Sequence, residues 1–250
     1  MEMLRPDFCT LKNLHDCAND LLSPVTQQAL AHHRHERWVD EVSEGFLRVL
    51  DACGITRDVL FLVKEHLQHL QSALRRSRVA EQGLQNRIGA YHYSRNKMKK
   101  EMHKCLETLK GMTDSFTPSA LSDSDHNVVS VVVVLREVRM ITISIVESIL
   151  SLMSVSKPKR KSKRQSILKF LLANRAANAS DGHFLLEVDT ALSSLSNHSL
   201  SAESKVMRIQ TANKRLEELE AAIEHLEVEL EYMFRHLIQT RVSLLNILNQ

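Results

Sequence analysis

The sequence is poor in the two residues that most often end helices and shape turns. Its 250 residues include only 6 glycines and 4 prolines. A β-sandwich or barrel needs frequent turns, many of which depend on glycine and proline, so their scarcity argues against an all-β fold. The residues that dominate instead, among them Leu, Glu, Lys, Arg, Gln and Met, are good helix formers. Composition therefore favours a helical protein.

Several sequence features of enzymes and nucleic-acid-binding proteins are also missing. The chain has no Gly-rich loop of the kind that holds phosphate and no G-x-S-x-G elbow for a nucleophilic serine. Aromatic residues make up only 4% and the net charge is +3, too small on its own to indicate a polyanionic partner. We therefore expect no enzymatic activity, no cofactor and no small-molecule substrate, and the sequence disfavours a nucleic-acid partner.

The cysteines and histidines do not form a recognisable metal or disulfide pattern. Cys9, Cys17, Cys53 and Cys105 lack close C-x-x-C spacing, and we interpret them as small buried hydrophobic residues in a reducing compartment. Among the 13 histidines, three lie with a glutamate within residues 32–36, and His66 and His69 are three residues apart. A zinc site needs three or four convergent ligands, so we expect solvent-facing histidines and no metal site.

No segment looks secreted or membrane-spanning. The first twenty residues lack a continuous apolar run, so we expect no signal peptide. The most apolar segment, 128–155, contains Arg136, Glu137, Arg139 and Glu147, and charges at mid-membrane cost about 2.5–3.5 kcal/mol each. We expect an intracellular protein, cytoplasmic or nuclear, whose association with membranes, if any, is peripheral.

A long apolar repeat near the end of the chain is the clearest positive feature. Residues recur at alternating steps of three and four over 209–247, and only Thr240 is polar. A mean step of 3.5 residues keeps one stripe facing a partner helix over roughly 60 Å. The members of this C-terminal seam are Ile209, Ala212, Leu216, Leu219, Ile223, Leu226, Leu230, Met233, Leu237, Thr240, Leu244 and Ile247.

Similar stripes occur elsewhere in the chain. One runs from Val39 to Leu74 with Thr56 as its polar member, and another resumes over 84–112 with Arg95 as the exception. The segment VVSVVVV that opens 128–155 has strand propensity, but the three-four spacing continues for 28 residues and predicts a helix. Because these stripes can cover the C-terminal seam within one chain, we favour a monomer over a homodimer.

These patterns predict an all-α fold, an elongated helical bundle with long antiparallel, coiled-coil-like helices. We expect short N-terminal helices in 1–35, the first capped by Thr10, and a main bundle in 36–250, forming a single domain overall.

Gly54 is open to three interpretations: a kink, a break or a close packing point. Asp125 or Asn127 is the expected cap of the helix at 128–155. The predicted long helical regions are 36–112, 128–155 and 203–249, with short helices at 167–175 and 183–195 and loops near 113–127, 156–166 and 176–183.

Charge is unevenly placed along the chain. Residues 75–104 contain nine Lys or Arg and two acidic residues, whereas residues 217–231 contain seven Glu and no Lys or Arg. Opposite charges of this kind often lie close together in a bundle. We therefore expect the basic stretch and the Glu stretch to be neighbours.

The sharpest local signal is a basic run that directly follows the helical region 128–155. Three interpretations remain open: a solvated linker, a nuclear-import signal with PKRK as its core, and a patch for anionic lipid or nucleic acid. Ser166 follows the run and is a candidate phosphorylation site, where phosphate would offset part of the positive charge. The six cations are Lys157, Lys159, Arg160, Lys161, Lys163 and Arg164.

Long blocks of the sequence resemble a plant-specific family of helical proteins of unknown function, grouped as BYPASS-related. The resemblance lies in 38–76, 96–112, 128–154 and 215–250, in the family's order, and 11–30 is similar to its opening. It implies an all-helical fold and a role in root and shoot development, through restraint of a root-derived mobile signal. It implies no enzymatic activity, cofactor or catalytic residue.

The sequence thus leads to one main functional hypothesis and two alternatives. We expect a non-enzymatic plant protein that acts in development through contacts with unidentified proteins. The first alternative is a peripheral membrane or lipid-signal-associated factor that uses residues 157–164. The second is a nuclear regulator that is imported through the same run.

Overall fold

Each described segment of the chain forms one α-helix. The computed structural model describes residues 5–21, 24–32, 37–76, 81–111, 126–154, 183–195 and 202–248. This confirms the predicted all-α class. The helices are α1 Arg5–Leu21, α2 Pro24–His32, α3 Arg37–Arg76, α4 Glu81–Lys110, α5 His126–Ser154, α6 His183–Ser194 and α7 Ala202–Leu248.

The described residues divide into two compact units. Unit 1 contains residues 59–76, 81–101, 151–154, 183–195 and 202–225. Unit 2 contains residues 5–21, 24–32, 37–58, 102–111, 126–150 and 226–248. The long helices α3, α4 and α7 therefore each contribute residues to both units.

Helix α5 settles the one ambiguity between strand and helix. The β-branched segment at 128–134 lies inside α5, as the three-four spacing predicted. Its core positions Val131, Leu135, Val138 and Ile145 are at most 2% exposed. Burial of a continuous apolar stripe thus outweighs the modest helix-propensity cost of valine. None of the described helices combines the length and the apolarity needed to cross a membrane.

The C-terminal seam is covered by other parts of the same chain. Ile209 is half-buried, and every other seam position is at most 7% exposed. Ala212, Leu216, Leu219 and Ile223 belong to unit 1, and the positions from Leu226 onward belong to unit 2. Each fully buried leucine or isoleucine contributes about 1.5–3 kcal/mol by leaving water, so the seam is a main source of helix stability.

The polar threonines that interrupt the stripes satisfy their hydroxyl groups within their own helices. Thr56 donates to the carbonyl of Ala52 at 2.8 Å, and Thr240 donates to the carbonyl of His236 at 2.9 Å. Thr142 makes the same kind of bond within α5. A hydroxyl bonded to the carbonyl four residues earlier can be buried without losing a hydrogen bond, which explains why these positions lie in the core.

Several predicted boundaries need correction. Helix α1 begins at Arg5, so Thr10 lies inside it and is not its cap. Pro6 suits the first helical turn, and Asp7 complements the positive end of the helix dipole. Helix α5 already includes Asn127, so Asn127 is not its cap.

The predicted region 36–112 consists of two helices, α3 and α4, rather than one. Helix α3 continues through Gly54, and the space that a Cβ atom would occupy there is open. Gly54 is therefore neither a break nor a close packing point.

Candidate functional site

In unit 1, acidic side chains of α7 bind side chains of α3. As the residue numbers rise along α3, the residue numbers of their partners on α7 fall, so the two helices run antiparallel here. The contacts are Lys64 Nζ to Glu224 Oε1 at 3.2 Å, Gln68 and Gln71 donating to Glu220 at 2.8 and 2.7 Å, and Arg75 Nη2 to Glu217 Oε1 at 3.7 Å.

These contacts refine the prediction that the basic stretch 75–104 and the Glu stretch 217–231 are neighbours. Arg75, the first residue of the basic stretch, does meet Glu217 of the Glu stretch. Lys64, however, precedes the basic stretch and still pairs with Glu224. Charge counts along a sequence reveal an excess of one sign, but they do not identify the helix that neutralises it.

A buried ion pair joins α4 to α6 in unit 1. Arg95 Nη1 lies 2.5 Å from Asp189 Oδ1, with side chains only 4% and 11% exposed. Arg95 also donates to Tyr91 Oη at 3.4 Å, and burial raises the pKa of Tyr91 to about 12. The hydroxyl therefore stays protonated at physiological pH. Arg95 was visible in the sequence as the exception to an apolar stripe, but its partner Asp189 was not.

A cluster of aromatic rings holds α1 against α7 in unit 2. The ring centroids of His15 and His236 are 5.2 Å apart, and those of Tyr232 and His236 are 4.3 Å apart. His15 is 1% exposed, and its Nδ1 lies 3.5 Å from the Thr240 hydroxyl. Burial, reinforced by His236 and opposed by Asp16, lowers the pKa of His15 to about 4. The imidazole is therefore neutral near neutral pH.

The most distinctive surface of unit 2 is a second stripe on α7. Its residues follow steps of three and four, as in the C-terminal seam, but they lie on the opposite side of the helix. Val228 is 69% exposed, Ile238 41% and Val242 48%. Glu231 accepts a hydrogen bond from Arg235 Nε at 2.8 Å. We call Val228, Glu231, Arg235, Ile238 and Val242 the α7 outer stripe.

Helix α3 supports one edge of the α7 outer stripe. Arg57 Nη1 lies 3.7 Å from Glu231 Oε2, and its guanidinium carbon lies 5.2 Å from the centroid of the Phe234 ring. Arg57 and Arg235 thus approach Glu231 from two helices. Sequence reasoning missed the stripe because its apolar residues are separated by charged ones. A search for apolar residues at three-four spacing finds only Ile238 and Val242 here, because Glu231 and Arg235 occupy the positions after Val228.

The cysteines only partly match their interpretation. Cys53 and Cys105 are buried, and burial, with Cys105 contributing, raises the pKa of Cys53 to about 12. The Cys53 thiol is therefore protonated and unreactive. Cys9 and Cys17 are exposed, contrary to the prediction. Helix α1 buries the face that carries residues such as Leu11 and Ala18 instead.

The other residues singled out in the sequence are exposed, contact a single hydroxyl group or lie outside the described segments. His32 and His69 are exposed, and His66 contacts the hydroxyl of Ser94. Within the described ranges, no group of three or more His, Cys, Asp or Glu side chains is placed to hold a metal ion. The basic run 157–164, Ser166, residues 33–36 and the short helix predicted at 167–175 lie outside the described residues, so their interpretations stay predictions.

Comparison with known proteins identifies one family. A family model described as Protein BPS1 matches residues 7–247, nearly the whole chain. No curated protein matches the sequence, and no solved structure matches the fold.

Proposed function

Because the chain belongs to the BPS1 family, we propose that it is a non-enzymatic plant protein that acts in root and shoot development through protein–protein contacts. The developmental role is the one that the BYPASS-related resemblance implies. The contact mode is supported by the α7 outer stripe, where three large aliphatic side chains are between 41% and 69% exposed. Contiguous exposed apolar residues are typical of interaction surfaces, and Ile238 and Val242 lie one helical turn apart on the same face.

The chemistry of the stripe favours a partner that supplies an amphipathic helix. The five residues of the stripe follow the three-four spacing that lets a second helix pack along this face, and its apolar members are Val228 at one end and Ile238 with Val242 at the other. Glu231 and Arg235 lie between them, so the stripe presents both signs of charge at its centre. A partner helix with aliphatic residues in the same spacing and opposite charges at its middle would complement this surface.

Proximity labelling in plant cells tests the proposal directly. The wild-type chain is compared with an Ile238→Ser and Val242→Ser double variant, and with Val133→Ser as the matched control. Val133 is also in unit 2 and is 49% exposed, but it lies on α5. Both variants change exposed residues, so both are expected to fold.

We expect the double variant to lose specific proteins that the wild type and the Val133→Ser control both label. An identical set of labelled proteins for all three chains, at equal expression, would contradict the proposed contact surface. Recovery of an enzyme activity from the purified chain would contradict its non-enzymatic character.

We also propose that the protein is monomeric. The support is that eleven of the twelve positions in the C-terminal seam are buried by the chain's own residues, which leaves that seam no free face for a second copy. Light scattering of the purified protein should give the mass of one chain, 28.5 kDa. A mass twice as large that persists on dilution would overturn this proposal.

A further inference from the structure

The four cysteines of the chain divide into a buried pair and an exposed pair. Cys53 and Cys105 are buried in unit 2, whereas Cys9 and Cys17 are exposed on α1. An unpaired cysteine normally behaves as a small apolar residue and is among the residue types most often buried. Helix α1 departs from this tendency twice, so its two exposed thiols need an explanation other than packing.

The packing of α1 shows why both thiols face outward. His15 and Ala18 are at most 2% exposed, and the ring centroid of His15 lies 5.2 Å from that of His236 on α7. At about 100° per residue, Cys9 and Cys17 lie on the other side of α1. Both thiols are therefore accessible while the helix stays packed on α7.

The two exposed thiols cannot bond to each other. Eight residues of helix separate their Cα atoms by roughly 12 Å along the axis, whereas a disulfide needs Cα atoms within about 7 Å. The only other cysteines of the chain, Cys53 and Cys105, are buried. Covalent chemistry at Cys9 and Cys17 must therefore involve another molecule.

The placement of these two cysteines suits a pair of fatty acyl chains. They lie roughly 80° apart around α1, so chains on both sulfur atoms would leave the helix on one side and enter the same membrane leaflet. A single acyl chain binds membranes only weakly and reversibly, and stable attachment takes two signals. Cysteines of amphipathic helices are known sites of reversible acylation.

The residues around the two thiols give α1 no other means of attachment to a membrane. Asn13, Asp16 and Asp20 are exposed on the same side of the helix. They offer no apolar surface, and the carboxylates are repelled by anionic lipid headgroups. Attachment through this side of α1 would therefore begin with acylation and end with its removal.

We propose that Cys9 and Cys17 are S-acylation sites that attach the protein to a membrane. Each thiol sulfur attacks the carbonyl carbon of a fatty acyl thioester such as acyl-coenzyme A. The new carbon–sulfur bond forms as the old one breaks, and the proton of the cysteine thiol passes to the released coenzyme A thiol. The reaction needs no oxidant, so it proceeds in a reducing compartment, where disulfides are rare.

Acyl exchange on the full chain, expressed in plant cells, tests the proposal. Free thiols are blocked with N-ethylmaleimide in denaturant, and thioesters are then cleaved with neutral hydroxylamine. The released thiols are coupled to a polyethylene glycol maleimide, which retards the chain on a gel. The variants are Cys9→Ser, Cys17→Ser and their combination. Asn13→Ser is the matched control, because it changes an exposed residue on the same side of α1.

We expect two labels on the wild type and on Asn13→Ser, one on each single variant and none on the double variant, which still contains both buried cysteines. The proposal is overturned if the wild type carries no hydroxylamine-dependent label or if the double variant is still labelled. It is also overturned if label appears only when a disulfide reductant replaces hydroxylamine. The measurement on the wild type needs no variant, so a folding defect cannot hide its result.

Membrane fractionation of the same cells tests the attachment itself. The wild type should sediment with membranes, remain there in high salt and be released by hydroxylamine. Each single variant should lower the ratio of bound to soluble protein roughly tenfold or more, because one acyl chain binds only marginally. Release of the wild type by salt alone, or unchanged sedimentation of the double variant, would contradict attachment through Cys9 and Cys17.

Discussion

The guanidinium of Arg139 lies against the backbone of α3 at Gly45. A Cβ atom at residue 45 would be 2.5 Å from Arg139 Nη1 and 3.2 Å from its Cδ. Gly45 is itself buried, so Arg139 could make room only by leaving its present position. The glycine thus has a specific role: it permits a long, charged side chain from α5 to lie across α3.

Two glycines of the same helix are therefore expected to respond differently to alanine. Gly54→Ala should stabilise the protein by about 1 kcal/mol, because nothing lies where the new methyl group would go and alanine is the better helix former. Gly45→Ala should not give the same stabilisation, because its methyl group would displace Arg139. Urea unfolding of both variants, in wild-type and Arg139→Ala backgrounds, measures the difference. If Gly45→Ala stabilises the protein equally in both backgrounds, the close approach of Gly45 and Arg139 does not affect the free energy of unfolding.

Removal of the buried charge of Arg139 should stabilise the protein. Arg139→Met keeps most of the side-chain volume and removes a guanidinium that is 8% exposed and has no acidic partner among the described residues. We expect the free energy of unfolding to rise by about 1–3 kcal/mol. Arg48→Met, at an exposed position, should change it by less than about 0.5 kcal/mol. A clear loss of stability in Arg139→Met would show that the arginine is neutralised in the folded protein.

The pair Arg95 and Asp189 should behave in the opposite way, because each charge compensates the other. Arg95→Met alone leaves Asp189 buried without its partner, and we expect a loss of about 3 kcal/mol or more in the free energy of unfolding. Arg95→Met combined with Asp189→Leu should recover a large part of that loss. Glu44→Gln breaks the exposed pair with Arg48 and should cost at most about 1 kcal/mol. Equal costs for the single and double variants of the buried pair would contradict this account.

Acid should weaken the packing of α1 on α7 through His15. Its pKa is about 4 in the folded protein against an ordinary value of 6.5, so the unfolded chain binds more protons between these values. Stability therefore falls as the pH drops through this window, by about 1–3 kcal/mol. His15→Leu should remove this part of the pH dependence, whereas the exposed His69→Leu should not. Urea unfolding at several pH values compares the slopes, and identical slopes for His15→Leu and wild type would refute the assignment.

The sequence was most informative where burial is periodic. The C-terminal seam and the helix at 126–154 follow directly from three-four spacing, because a helix face must be apolar along its whole length to be covered. The exceptions to that spacing were also informative. Thr240 and Arg95 interrupt apolar stripes, and both are buried with hydrogen-bond partners.

The sequence did not reveal which helix surfaces contact each other. Asp189 lies 94 residues from Arg95, and no local pattern links them. The same holds for Gly45 and Arg139, whose contact depends on how α3 and α5 pack. Cys17 illustrates a smaller failure, since a short helix such as α1 has too few turns for its buried face to be assigned from pattern alone.

The most direct test of the proposed function is complementation in plants that lack this protein. The wild-type chain and Val133→Ser should restore root and shoot development, whereas Ile238→Ser with Val242→Ser, expressed at the same level and folded, should not. Full restoration by the double variant would contradict the claim that the protein acts through the α7 outer stripe.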